Sequence, residues 1–332
     1  MRKYYKSIFG FFVASFFVWV VIKNIDGDEL IKALLGVDIS YVIAAVFIFF
    51  MGYACRIERW RLMLSLDNDK LNWSQCAGPL MASVSVNNVL PLRAGDIIRA
   101  LAFNKRLGID TSTSVLSLFI ERMLDLLTII LLFGAGLFYF GIESSKMIGV
   151  GGVSLFFICA LILIVLIKPN LFQSISSPVV DFIEKYFPVI GARLRVELNK
   201  ISASMAYMSK ASTMSKLVAF SFLAWVCEGL VFWLVALSMS SISNNVAAWL
   251  ALPVGTLTTV IPSTPGYVGT FDYFTAKVMS SFGNSISAST AYALIVHLVL
   301  WLPSTAVGGL YMLYSPIDKK ALERDCNGVQ DD

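Results

Sequence analysis

Three charged residues, Glu121, Arg122 and Asp125, fall within five positions of a run that is otherwise uncharged from Thr111 to Ile142. In a helix, Glu121 and Asp125 share a face, and Arg122 reaches Asp125 three residues on. If the span begins near Thr113, a rise of about 1.5 Å per residue puts them roughly 12–18 Å deep. A lone charge at the bilayer centre costs on the order of 2.5–3.5 kcal/mol even on a lenient insertion scale. Three so close together must therefore face protein or water. Glu228 lies well inside the apolar stretch Leu217–Ser240 with no cation near it in sequence. Arg122, or Arg93 or Arg99 from an earlier loop, is its expected partner. Guanidiniums are charge-assisted donors suited to phosphate. Arg93, Arg99 and Arg122 are thus candidate phosphate ligands, with Asp96, Glu121, Asp125, Glu228 and Asp272 as balancing carboxylates able to meet a proton or an amine. The only histidine, His297, stands on an apolar stretch and reads as a satisfied core residue.

Catalysis has little support. No nucleophile or metal-ligand set accompanies these carboxylates, so no catalytic residue and no metal site is assigned. P-loop, HExxH and nucleotide-binding GxGxxG patterns are missing, so no cofactor is expected. The five cysteines show no CxxC spacing and sit mostly in apolar sequence, as small core residues do.

The elements that must hold these charges are membrane helices. Of the 332 residues, 57% are hydrophobic and 14% charged, with mean hydropathy +0.75. A soluble domain carries about 25% charged residues. Ser7–Ile22, Ile39–Cys55, Leu126–Ile142 and Met147–Ile167 are each free of charge, close to the ~20 residues a spanning helix needs. No small-residue cleavage site follows Ile22, which favours a span over a signal peptide. Gly229–Phe271 is uncharged, and Val278–Ile317 holds only His297. Each is too long for one span and must fold back, at Ser238–Asn245 and Ser281–Ser289.

The expected fold is an all-α polytopic membrane protein with six full spans, roughly 7–23, 39–55, 113–141, 147–167, 217–240 and 289–313. Two re-entrant helical hairpins complete it. Residues 1–332 form one membrane domain. Its first half, 1–141, holds a re-entrant loop near 76–106, and its second half, 217–315, holds another near 246–282. A basic cytoplasmic connector, 168–216, joins them, and a cytoplasmic tail, 316–332, follows. With both termini in the cytoplasm, only Lys23, Lys32 and Lys146 among the Lys and Arg fall in outer loops. That satisfies the positive-inside rule and places the chain in a bacterial-type inner membrane.

The loops carry the most specific signal. Asn87-Asn88-Val-Leu-Pro91-Leu-Arg93-Ala-Gly95-Asp96 joins two apolar half-helices. Pro262-Ser-Thr-Pro265-Gly266-Tyr-Val-Gly269-Thr-Phe-Asp272 has the same build of proline, glycine, then a carboxylate opening the next helix. In the six-span topology they enter from opposite faces, as an inverted repeat requires. Such turns at membrane depth persist only when buried in protein or lining a wet cavity. Asn87, Asn88, Pro91 and Gly95, with Pro262, Pro265, Gly266 and Gly269, are therefore the candidate gate residues.

The first loop with Arg99, then Glu121-Arg122-x-x-Asp125, then Pro262-x-x-Pro265-Gly266-x-x-Gly269-x-x-Asp272, resembles the flippase-like membrane domain of lysylphosphatidylglycerol synthases over nearly the whole chain. The resemblance implies movement of lipid between leaflets. The synthases carry a soluble aminoacyl-transferase domain that does not follow here, so synthase activity is not expected. Asp272 stands where the family pattern has glutamate. The expected function is a lipid translocase for an anionic phospholipid or a polyprenyl-phosphate-linked lipid. The alternatives are a proton-coupled transporter of a small soluble anion and a membrane enzyme acting on a lipid phosphate. Expected partners are membrane lipids, lipid- or glycan-modifying enzymes of one pathway and further copies of the chain, with no nucleic acid.

Overall fold

The computed structural model describes residues 27–90, 93–141, 168–259 and 265–315, with isolated positions between 157 and 164. The expected spans at 7–23 and, for the most part, 147–167 lie outside the described residues, as do Pro91, Pro262 and the 316–332 tail. Within them the fold is all-α, without a strand.

The order is α1 (Gly27–Leu35), α2 (Ile39–Leu64), α3 (Trp73–Val89), α4 (Ala94–Ala102), α5 (Asn104–Leu107), α6 (Thr111–Tyr139), α7 (Pro169–Tyr186), α8 (Pro188–Met208), α9 (Ala211–Leu237), α10 (Ala248–Thr258), α11 (Thr270–Ser281) and α12 (Ile286–Tyr314). Local chemistry sets many of the boundaries. Asp38 accepts from the Ser40 N–H at 2.9 Å and opens α2. The Gln75 side chain reaches back to the Asn72 N–H at 2.8 Å and opens α3. The Ser285 hydroxyl accepts from the Ala288 N–H at 3.2 Å and opens α12. Pro169 and Pro188 stand at the starts of α7 and α8, where a missing N–H costs nothing.

Helices α2, α9 and α12 are long and apolar enough to cross a membrane, and they turn Ile43, Phe47, Phe222, Leu298 and Leu310 outward. The expected spans at 113–141, 217–240 and 289–313 correspond to α6, α9 and α12. The span expected at 39–55 lies within α2, which continues to Leu64. No proline or glycine interrupts Cys55–Leu64, so the helix carries Arg56 and Arg59 onward into protein rather than ending at the first charge. The connector is a helical hairpin, α7 against α8. Arg195 fastens it by bridging to Asp181 at 2.6 Å and to Glu184.

Packing interleaves the two halves. Helix α2 lies along α9, α3 along α12, and α6 touches α2, α4, α9 and α10. Close approach needs small residues, as it does between membrane helices generally. A Cβ on Gly308 would stand 2.0 Å from the Met81 carbonyl oxygen, and one on Gly95 1.9 Å from the Ser83 carbonyl oxygen. Gly308→Ala should therefore cost about 1–3 kcal/mol, the usual range for overpacking. It should be read as earlier loss of monodisperse protein on heating in detergent. Gly309→Ala, whose Cβ would meet nothing nearer than Ser85 Oγ at 3.9 Å, should behave as wild type. Equal loss in both variants would contradict the α3–α12 seam.

Candidate functional site

The buried charges assemble where α2, α4, α6 and α9 meet. Arg59, 1% exposed, donates to Asp125 at 2.7 and 3.4 Å and to Ser221 Oγ at 2.7 Å. Trp225 Nε1 donates to the same carboxylate at 3.0 Å. Arg99, 3% exposed, donates to both Glu121 oxygens at 3.0 and 3.1 Å. Its guanidinium lies 5.1 Å from the centre of the Trp60 ring. Arg122 reaches Asp96 at 3.0 Å, Glu121 at 3.5 Å and Asp125 at 3.8 Å. Every carboxylate here meets a guanidinium, which is the condition for a charge to stay ionised away from water.

Glu228 departs from the expected pairing with Arg122, Arg93 or Arg99. Its partner is Arg56, which packs over the Tyr53 and Trp225 rings at 5.4 and 5.0 Å. The reason is the longer α2. Continued past residue 55 along α9, it places Arg56 beside Glu228 and Arg59 beside Asp125.

The hairpin tips converge on this network. Asn87 at the end of α3 caps α4: its Oδ1 accepts from the Gly95 N–H at 2.8 Å and its Nδ2 donates to Asp96 at 2.9 Å. Asn88 Nδ2 donates to Ser304 Oγ at 3.0 Å and Thr305 Oγ1 at 2.8 Å, while its carbonyl accepts from Trp301 Nε1 at 3.2 Å. Gly266, at φ +67°, sits against that same carbonyl and indole, so a side chain there would meet both strain and collision. Arg93 Nε donates to the Tyr267 hydroxyl at 3.0 Å and Nη2 to Thr259 Oγ1 at 3.3 Å. Among the described residues, Arg93 and Tyr267 are the non-glycine residues with positive φ, at 53° and 61°. Such conformations cost on the order of 1–3 kcal/mol and concentrate at functional sites. Here two of them touch.

Between the tips and the charges lies a cavity of about 560 Å³. Arg56, Arg93, Arg122, Asp125 and Glu228 line it, with Asn88, Gly266, Tyr267 and His297. The remaining wall is largely apolar, including Phe49, Leu126, Ile129 and Leu300. Asp96, Arg99 and Glu121 stand behind this lining, Gly95 and Gly269 at the starts of α4 and α11. Pro265 stands at the head of the turn before Gly266. Asp272 is held at the start of α11 by the Gly269 N–H at 2.9 Å and meets His297 Nδ1 at 2.7 Å. Among the described residues no group of three or more His, Cys, Asp or Glu could hold a metal ion.

The sequence profile of the lysylphosphatidylglycerol synthase TM region matches residues 7–308. The chain belongs to that family. It is a multi-pass membrane protein, as the apolar helices also require. Its relatives include two UPF0104 membrane proteins of Methanocaldococcus jannaschii. One is 23% identical over 95% of this chain and 97% of its own length, the other 24% identical over 69% and 93%. A shorter match joins it to the glycosyltransferase AglD of Haloferax volcanii, 35% identical over 32% of this chain and 17% of that protein.

Within this family member, Arg56 and Arg59 are the residues that sequence reasoning missed. The available signal was the unbroken helical run after Cys55, in which a positive-inside count takes any arginine for a cytoplasmic one. Arg59→Met should lower stability by about 3–5 kcal/mol, because Asp125 is left buried without its strongest partner. Arg59→Met/Asp125→Leu should recover much of that loss. Thermal melting of purified protein in detergent checks both. A single variant as stable as wild type would remove the pair from the core of the fold.

Proposed function

We propose that this protein is a lipid translocase that carries the headgroup of an anionic phospholipid, or of a polyprenyl-phosphate-linked lipid, through the cavity between the hairpin tips. The observation that carries the reading is the cavity's lining. Three guanidiniums (Arg56, Arg93 and Arg122) face two carboxylates (Asp125 and Glu228), 3 − 2 = +1, and the surplus falls on Arg93. Among the described residues no carboxylate oxygen lies within 4.0 Å of Arg93, whose bonds go to two hydroxyls. A phosphate can take the place of those hydroxyls with a stronger charge-assisted bond. The cavity volume falls in the ~300–1,000 Å³ range of small-molecule pockets, and its apolar wall suits the start of an acyl or polyprenyl chain.

The family's name fits a lipid with a phosphate in its headgroup, since lysylphosphatidylglycerol is a phospholipid. The match to a glycosyltransferase fits a pathway partner that modifies lipid or glycan. In this reading the chain lies in the cytoplasmic membrane with both termini inside. The α7–α8 hairpin rests on the inner leaflet through Phe182, Tyr186, Phe187 and Ile190, all exposed. The protein acts without changing its lipid covalently.

Short-chain fluorescent phosphatidylglycerol and polyprenyl phosphates in one leaflet of proteoliposomes test the proposal. Wild type should move at least one class, and Arg93→Gln should slow that movement by about tenfold to a hundredfold, the worth of one charged hydrogen bond. Movement equal to protein-free liposomes across both classes would refute the translocase and favour transport of a small soluble anion.

A further inference from the structure

The two hairpins share one arrangement, an aspartate near the start of the second helix that pairs with the long helix that follows. Asp96 is the third residue of α4 and Asp272 the third of α11, each following an N-cap of positive φ, Arg93 at 53° and Gly269 at 88°. Each aspartate then pairs with the long helix that follows its own hairpin. Arg122 is the twelfth residue of α6, counting Thr111 as the first, and His297 is the twelfth of α12, counting Ile286 as the first. Both helices run 29 residues. His297 is thus the repeat counterpart of Arg122. One half holds a permanent cation against its aspartate, and the other holds the chain's one histidine.

The geometry at His297 fixes one ring nitrogen on a carboxylate and places the residue on the cavity wall. Gly269 N–H fixes one Asp272 oxygen at 2.9 Å and His297 Nδ1 meets the other at 2.7 Å. A neutral imidazole therefore keeps its proton on Nδ1 toward the carboxylate, leaving Nε2 as a lone-pair acceptor. Nε2 has no hydrogen-bond partner among the described residues, and His297 lines the cavity. The groups facing it are Asp272 and Phe271 from α11, Asn88 from α3, Glu228 from α9, Arg122 and Asp125 from α6, and Tyr53 and Arg56 from α2. Arg93 and Tyr267 look across from the hairpin tips.

The charges of the whole site make the imidazole decisive. Arg56, Arg59, Arg93, Arg99 and Arg122 give +5, and Asp96, Glu121, Asp125, Glu228 and Asp272 give −5, so the sum with neutral His297 is 5 − 5 = 0. One proton on Nε2 raises it to +1. Resting on the translocase reading, we propose that the His297–Asp272 dyad is a proton-binding site, and that its protonation admits the anionic headgroup to the cavity, so that proton and lipid phosphate bind together. No bond forms or breaks beyond the N–H on Nε2, and the proton is taken up from the bulk solution as hydronium. Linkage makes the coupling reciprocal: the bound anion must favour the protonated imidazole.

Two measurements test this on the full chain. In proteoliposomes, movement of short-chain phosphatidylglycerol should fall by about fivefold or more as pH rises from about 5 to about 8, a fold-change typical of coupled sites. His297→Gln should be slow and flat across that range, and His297→Arg, which copies Arg122, should be fast and flat. A wild-type rate independent of pH, or a His297→Gln variant that keeps the wild-type profile, would overturn the proposal. The second measurement needs no transport. In tag-free protein the single imidazole gives one set of NMR signals, and short-chain phosphatidylglycerol should move its titration to higher pH. An unmoved titration would overturn the coupling. If wild type moves no lipid at any pH, the translocase reading fails, and the NMR arm alone then decides whether the dyad links a proton to an anion.

Discussion

A guanidinium or carboxylate placed in an apolar interior must find its opposite or give up its charge, and in this chain that constraint organises everything around it. Arg59 and Asp125 join α2 to α6, with Ser221 and Trp225 of α9 closing the same contact. Arg99 and Glu121 join the first hairpin to α6. Arg56 and Glu228 join α2 to α9. No one of these pairs would be expected to stabilise the fold more than well-packed leucines in its place. Their effect is to forbid alternatives: a register slip of any of these helices would strand a charge. Helix packing in lipid has no hydrophobic effect between helices to direct it, so polar complementarity is a natural source of specificity.

The same constraint explains why two hairpin turns can lie beside a cavity. A broken helix exposes N–H and C=O groups that apolar surroundings cannot satisfy. Here side chains satisfy them. Asn87 takes the free N–H groups at the start of α4, Asp272 takes the Gly269 N–H, and Trp301 donates to the Asn88 carbonyl. The asparagine pair is therefore structural chemistry for a tip, and it couples the first hairpin to α12 of the other half through Ser304 and Thr305. The strained Arg93 and Tyr267 are held by this scaffold, which over-determines their backbone.

Much of this was legible in the sequence, and the failures have a common cause. Apolar runs gave the helices α6, α9 and α12 to within about six residues, and the Pro-Gly-carboxylate pattern located the turns that open α4 and α11. Glu121, Arg122, Asp125 and Glu228 stood out because each interrupts an apolar run. Arg56 and Arg59 did not, since they lie at the end of such a run, where an arginine reads equally as the membrane boundary. Pairing was also beyond the sequence: Glu228 meets Arg56 across 172 positions, and no local pattern links them. His297 looked like a core residue because its partner Asp272 belongs to another helix. Spacing reports faces of one helix, while charge pairing reports the packing of several.

The repeat offers a way to think about why the site is unequal. If both halves had kept an arginine opposite the N3 aspartate, the cavity would admit an anion equally at every pH, with no proton to couple to it. If both had kept histidine, Asp96 would lose its fixed counter-charge next to Glu121 and Asp125, and three carboxylates would crowd Arg59 and Arg99. One permanent and one titratable partner avoids both outcomes. Arg122 secures the acidic cluster on α6, where carboxylates are dense, and the histidine falls on α12, where Asp272 is the lone carboxylate among the described residues of α11 and α12. On the proposed reading, the titratable partner stands where carboxylates are sparse and the permanent one where they are dense.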